Sequence, residues 1–320
     1  MTAGAGTRAA PGSRHLGLDL GVTNLKWAVV ERAGDAWTSV ANGQVPTRSI
    51  EGPSVVVDQL GRLGADVIAA HPGIESVGIG VPGLYDPETG ATEFLVNMPG
   101  GWHGVPVAAP VEAELGLPTS LINDARAFGL AELRLGAGRG VRSMIGLTLG
   151  TGIGGVVAID GRVIQGYKGT AGEIGHQVID PDGPLCNCGT RGCVEAFCRA
   201  EQVARVCGTP TVEAAVHAAR AGDERALTGL ADIGRYLGIG ISNVIVLLTP
   251  ERVVLGGGVA GAGELLLGPI RDEIRRRVHV TSWRTIEVVL AQLGTTAGAI
   301  GAAVHGAERA ADRDRQRPAP

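Results

Sequence analysis

The feature that most constrains this chain is an internal echo. Residues 16–31 read LGLDLGVTNLKWAVVE, and residues 145–160 read IGLTLGTGIGGVVAID. Laid over one another, Gly17 meets Gly146, Leu18 meets Leu147, Leu20 meets Leu149 and Gly21 meets Gly150. Each copy is an apolar strand, a small-residue turn and a second apolar strand. Two copies of one unit predict two related domains facing each other across a cleft. The alternative is two ordinary β-hairpins that resemble each other by chance.

At 320 residues the chain is long enough for two buried cores. Short apolar runs at 16–20, 25–30, 76–81, 119–122, 144–149, 153–159, 251–255 and 286–290 predict strands. Amphipathic stretches at 53–70, 124–135, 223–248 and 295–306 predict helices. The alternation makes this an α/β protein. We expect a disordered N-terminus over 1–14, α/β domains over 15–122 and 123–294, and a disordered tail over 307–320.

A formal net charge of −4 gives no basic footprint for nucleic acid or an anionic membrane. Phosphate binding must then come from local backbone geometry, and 52 glycines leave many backbone positions open for it. Met1–Arg14 lacks the apolar segment of a secretory signal. The longest charge-free run, Ser143–Ile159, holds five glycines and falls short of a membrane span. A cytoplasmic protein is expected.

Three turns end apolar strands. In Asp19-Leu20-Gly21-Val22-Thr23-Asn24, backbone N–H groups and the Thr23 hydroxyl can approach phosphate oxygens. Asp19 is itself anionic, so its role there is to hold hydrated Mg²⁺; an Asx-capped hairpin is the plainer reading. Gly150-Thr151-Gly152-Ile153-Gly154-Gly155 is a second such turn, followed by a strand, which argues against a dinucleotide fold. Gly256-Gly257-Gly258 follows the strand Arg252–Leu255, opens an expected helix and suits the adenosine side of a nucleotide.

Asn123-Asp124 closes a strand at the start of a helix, where Asp is a common N-cap. At a cleft, the Asp124 carboxylate could instead accept a proton from a hydroxyl attacking a γ-phosphate. Gly166–His176 reads GYKGTAGEIGH, which puts Glu173 and His176 three residues apart among glycines, as a pocket for vicinal hydroxyls requires. His176, Cys186, Cys188 and Cys193 offer one imidazole and three thiolates, the donor set of a closed structural zinc site. Reduced cysteines without metal are the alternative. Cys198 and Cys207 read as buried, inert thiols. His15, His71, His103, His217, His279 and His305 read as surface or core residues.

Together these pieces resemble the ROK family (repressors, open reading frames and kinases), within the actin-like and hexokinase-like ATPase fold. The matching segments are DLGVTNLK at 19–26, NDARAFGLAE at 123–132, LGTGIGG at 149–155, GTAGEIGH at 169–176, CNCGTRGCVE at 186–195 and VVLGGGV at 253–259. The resemblance implies an ATP-dependent hexose kinase of glucokinase type, with Asp124 as catalytic base. It implies that Gly83, Asn97, Asn123, Asp124, Glu173, His176 and Glu195 meet the sugar. ATP and Mg²⁺ would be held by Asp19, Gly21, Thr23, Asn24, Lys26, Thr148, Gly150, Thr151, Gly152, Gly154, Gly256, Gly257 and Gly258. His176 would serve both sugar and a structural Zn²⁺, helix 295–306 would return to the first domain, and the protein would be a homodimer or homotetramer. Val22 stands where the family often has Gly, and Cys198 near where Ser is common.

Other substrates of the same class are mannose, kanosamine, N-acetylglucosamine and N-acetylmannosamine. A sugar-responsive regulator of the family would carry a helix-turn-helix before the first hairpin. Only about fifteen residues stand there, and Asp124 and both phosphate turns are present, so a kinase is expected.

Overall fold

The computed structural model describes residues 12–95 and 97–316, and these divide into two compact units. The first comprises the chain up to Ile122 together with the segment from Ala302, and the second runs from Asn123 to Gly301. The echoed segments form the hairpin at the heart of each.

In the first unit, β1 (Ser13–Leu20) and β2 (Asn24–Ala33) are antiparallel, with Asp19 opposite Lys26 and Leu20 opposite Leu25. β3 (Ala36–Pro46) extends the sheet beyond β2, and β4 (Ile74–Val81) lies parallel to β1. Between them runs α1 (Pro53–Ala70), started by Pro53, whose fixed φ suits a first helical residue. α1 buries Val56, Val57, Leu60 and Val67 at helical spacing. A small sheet follows, made of β5 (Gly83–Tyr85), β6 (Ala91–Leu95) and β7 (Val105–Pro106). Next come α2 (Ala108–Leu115), closed by Gly116 in the left-handed region, and β8 (Thr119–Asn123). The main sheet has the order β3-β2-β1-β4-β8.

The second unit opens with α3 (Asp124–Arg134), then β9 (Met144–Leu149), β10 (Ile153–Ile159) and β11 (Arg162–Val163). The short helices α4 (Val194–Cys198), α5 (Ala200–Cys207) and α6 (Val212–Arg220) precede the long α7 (Glu224–Leu248). β12 (Arg252–Gly256), α8 (Glu264–Arg277), β13 (Glu287–Leu290) and α9 (Ala297–Gln316) complete the chain. The sheet order is β11-β10-β9-β12-β13, with β9 antiparallel to β10 and parallel to β12. That is the first sheet repeated, edge for edge.

α7 is long and apolar enough to cross a membrane, yet it is a core helix. Leu230, Ile233, Leu237 and Ile241 are buried in the unit's main apolar cluster. A side chain on Gly234 would collide with Pro269 and one on Gly238 with Glu273, so these glycines let α8 pack close.

Three boundaries differ from expectation. The tail expected to be disordered after Ala307 is helical to Gln316, because α9 buries Val304, His305 and Ala307 and lies so close to β4 that Gly78 has no room for a Cβ against Ala302. Residues 317–320 lie outside the described residues, as do 1–11 of the expected disordered N-terminus; Ser13 and Arg14 are already in β1. Gly256–Gly258 opens not directly into a helix but into a 3₁₀ turn, Val259–Ala262, which precedes α8.

Candidate active site

Asn123 and Asp124 divide the work at the start of α3. The Asn123 side-chain oxygen caps the helix, accepting from the backbone N–H of Ala125 (3.1 Å) and Arg126 (3.2 Å). The cap expected of Asp124 therefore belongs to its neighbour. Asp124 is the first helical residue and exposed. Its Oδ1 accepts from Ala125 N (2.8 Å) and Asn123 Nδ2 (3.0 Å), which fixes the carboxylate's direction at the positive end of the helix.

The glycine turn after β9 lies beside it. A Cβ on Gly154 would come 2.6 Å from Ala125 Cβ and 2.7 Å from Thr148 Oγ1, so no larger residue fits. Gly150 N donates to Gly152 O (2.9 Å), closing the turn. Gly257, at φ 87°, approaches the Leu149 backbone, with its would-be Cβ 2.7 Å from the nitrogen. The turns 150–152 and 256–258 thus meet at the ends of the neighbouring strands β9 and β12.

Glu173 and His176 sit on a segment laid against β10, where Gly155 and Gly175 leave no space for side chains against Gly172 and Ile153. The buried Arg126 holds this segment, donating through Nε (3.2 Å) and Nη2 (2.6 Å) to Ala171 O and lying 3.3 Å from Glu173 Oε1. Glu195 is buried in α4. It accepts at Oε2 from Ile153 N (2.8 Å) and at Oε1 from the Cys186 thiol (3.5 Å), tying the start of β10 to the cysteine cluster.

In that cluster, ligand atoms of His176, Cys186, Cys188 and Cys193 all lie within 4.8 Å of one another. Cys186 Sγ is 3.7 Å from His176 Nδ1, and Cys188 Sγ is 3.7 Å from Cys193 Sγ. Four ligands about 2.3 Å from a common centre form a tetrahedron with edges of about 3.8 Å, so the set fits zinc. None of these cysteines is in a disulfide. Burial pushes the Cys186 thiol up to about 12, while the Thr190 backbone holds Cys188 down to about 7. A dication held there would override both by taking the thiolates directly. Cys198 and Cys207 are buried apart from the cluster.

The first unit carries its own set. Asp19, at the end of β1, lies 3.8 Å from Lys26 Nζ across the hairpin. Burial raises its carboxyl above the usual range, and Lys26 offsets this in part. A desolvated carboxylate at a strand end fits a hard cation. The turn Gly21–Asn24 is pinned by Gly21 N to Asn24 O (3.1 Å) and by Thr47 Oγ1 to Gly21 O (2.8 Å). Thr23 is exposed, and Val22 packs on the unit's core, as a glycine there could not. Gly83 pairs opposite Leu95 in β6. Asn97 has φ 59°, a conformation Asn tolerates better than most residues.

Composition and strand pattern carried no signal for Arg126. It sits inside an apolar helix, and only the fold reveals that its guanidinium reaches residues 171 and 173.

The ROK family profile matches residues 15–307. The chain belongs to the ROK family. A glucokinase from Thermotoga maritima is 36% identical over 314 residues, covering 92% of this chain and 97% of that protein. The crystal structure of a ROK hexokinase from Thermus thermophilus superposes with a TM-score of 0.81 at 33% identity, covering 93% of this chain and 99% of the other. A ROK family glucokinase from Streptomyces griseus, solved with glucose and AMPPNP, gives 0.77 at 32% identity and coverage of 92% and 100%. The duplicated α/β units of this ROK protein are thus those of the actin-like ATPase fold.

Proposed function

We propose that this ROK protein transfers the γ-phosphate of ATP to the 6-hydroxyl of glucose, with Asp124 as general base. The observation that supports the reading is the close approach of Gly154, the second residue of β10, to Ala125, next to the oriented Asp124 carboxylate. Its kinship with glucokinases of similar length supports glucose as the hexose.

In this reading the Asp124 carboxylate accepts the hydroxyl proton as the oxygen attacks. Because Asn123 does the capping, Asp124 can take up that proton without loosening α3. Asn123, Glu173, His176 and Glu195 orient the sugar, and the family resemblance adds Gly83 and Asn97. Backbone N–H groups of 150–154 and of 21–24, with Thr23 and Thr148, receive the phosphates, with Lys26 as their cation and Gly256–Gly258 on the adenosine side. Asp19 would hold Mg²⁺, which would supply charge neutralisation for the transferred group. His176, Cys186, Cys188 and Cys193 would hold a structural zinc, which would shape the loop that bears Glu173 rather than carry the chemistry.

The test is ATP-dependent phosphate transfer over a panel of glucose, mannose, fructose, glucosamine, kanosamine, N-acetylglucosamine and N-acetylmannosamine. Glucose should give the highest kcat/KM. A higher value for an N-acetylated or amino sugar would overturn the substrate, and no transfer to any of them would overturn the kinase.

A further inference from the structure

Three side chains of α3 fall at intervals of four residues: Asp124, Phe128 and Glu132. That spacing stacks them along one face of the helix. Asp124 is the base of the proposed function, and the other two have no part in it so far.

Glu132 is fully buried, and backbone N–H groups converge on its carboxylate. Oε1 accepts from Gln292 N (3.0 Å) and Leu293 N (2.9 Å), and Oε2 from Ala137 N (2.7 Å) and Gln292 N (3.1 Å). An anion so held is a clamp on the segment after β13. That segment begins at Ala291, whose N–H donates to Leu255 O (2.8 Å) at the end of β12. The next residue, Gly256, is wedged: a Cβ there would lie 2.6 Å from the Phe128 ring and 3.2 Å from Ala291 Cβ.

We propose that Glu132 is a positioning residue for the nucleotide. By holding 291–293 against α3 it presses the 256–258 turn onto Phe128, and so fixes that turn relative to Asp124 on the same helix. The inference rests on the kinase reading and adds a part to it: one rigid helix registers both the base and the nucleotide turn. Glu132→Gln is nearly isosteric, but it turns an amide N–H₂ toward backbone donors and loosens the clamp.

The experiment is steady-state kinetics in both substrates, with calorimetric glucose binding in the absence of nucleotide. For E132Q the KM for ATP should rise about tenfold and kcat fall about tenfold, as small misplacements of reacting groups do. Glucose affinity without nucleotide should stay within about twofold, because Glu173 and His176 are held by other contacts. A role confined to stability would lower Tm and leave the KM for ATP unchanged, and that result overturns the proposal. Equal losses of ATP and glucose affinity overturn it too. Should E132Q fail to fold, F128L loosens the same wedge without a buried charge. A raised KM for ATP in F128L supports the proposal, and an unchanged one overturns it. Wild-type protein without phosphate transfer would instead strike the kinase reading itself.

Discussion

Asp124 and Asn123 show how adjacent residues with similar chemistry can hold separate jobs. Asn123 Oδ1 meets two backbone N–H groups, so the start of α3 does not depend on the Asp124 carboxylate. Asp124→Asn should then lower turnover by roughly two to four orders of magnitude while Tm stays nearly constant. Glucose binding should survive, since an amide still hydrogen-bonds a hydroxyl. A coupled assay beside a melting curve decides this, and near-normal turnover would reduce Asp124 to a helix residue. The Asn-Asp pair was visible in the sequence, but which of the two caps was not, because both are good caps. Arg126 was illegible for a different reason: its role depends on a partner 47 residues away, Glu173.

At the scale of elements, the legible parts are those with a strong period. β1, β4, β9, β12, α1 and α7 follow from apolar patterning, since each buries a continuous face. β3 was missed because none of its residues is buried: it is an edge strand whose inward apolar residues, such as Ala41 and Val45, are only half-buried among polar neighbours. α4, α5 and α6 are too short for periodicity to separate from loops. The cysteine loop is the opposite case, legible from composition alone. Its backbone is short and glycine-rich, so little apolar area is available to hold it without a bound metal. Purified protein should carry about one zinc per chain. Cys188→Ser should lose it, lower Tm by roughly 5–10 °C and weaken glucose binding several-fold, because His176 and Glu173 share one segment. Full activity and unchanged melting in metal-free protein would remove zinc from the account.

For the whole molecule, the echo fixed the topology more firmly than any motif fixed a residue. Both main sheets have one strand order around an antiparallel hairpin. The copies part at the turn: Leu20 pairs with Leu25, but Leu149 with Ile153, so the second turn is one residue shorter. The units also differ in what they bury. The first holds two histidines held neutral by burial: His15, between the Ser13 and Ser76 hydroxyls and facing Arg32, and His305, beside Arg309 and Asp312. Burial first, then the nearby arginine, lowers each from 6.5 to about 4. The unfolded chain therefore takes up protons near pH 6.5, while the folded unit resists until about pH 4, so stability falls as pH drops through that window. Each histidine accounts for a loss on the order of 1–3 kcal/mol by the lower end. Glu51, Glu213 and Glu251, lowered from 4.5, lose their stabilising effect only below that value, so the upper part of the window belongs to the histidines. Asp19 works in the opposite sense, because its raised carboxyl makes protonation favour the fold. Three of the four tryptophans, Trp27, Trp37 and Trp102, lie in this unit, so urea unfolding followed by their fluorescence reports on it. The midpoint should fall between pH 7 and pH 5, and replacing His15 and His305 together with Gln should flatten that fall. An equal fall in wild type and the double variant would show that the histidines do not set acid sensitivity.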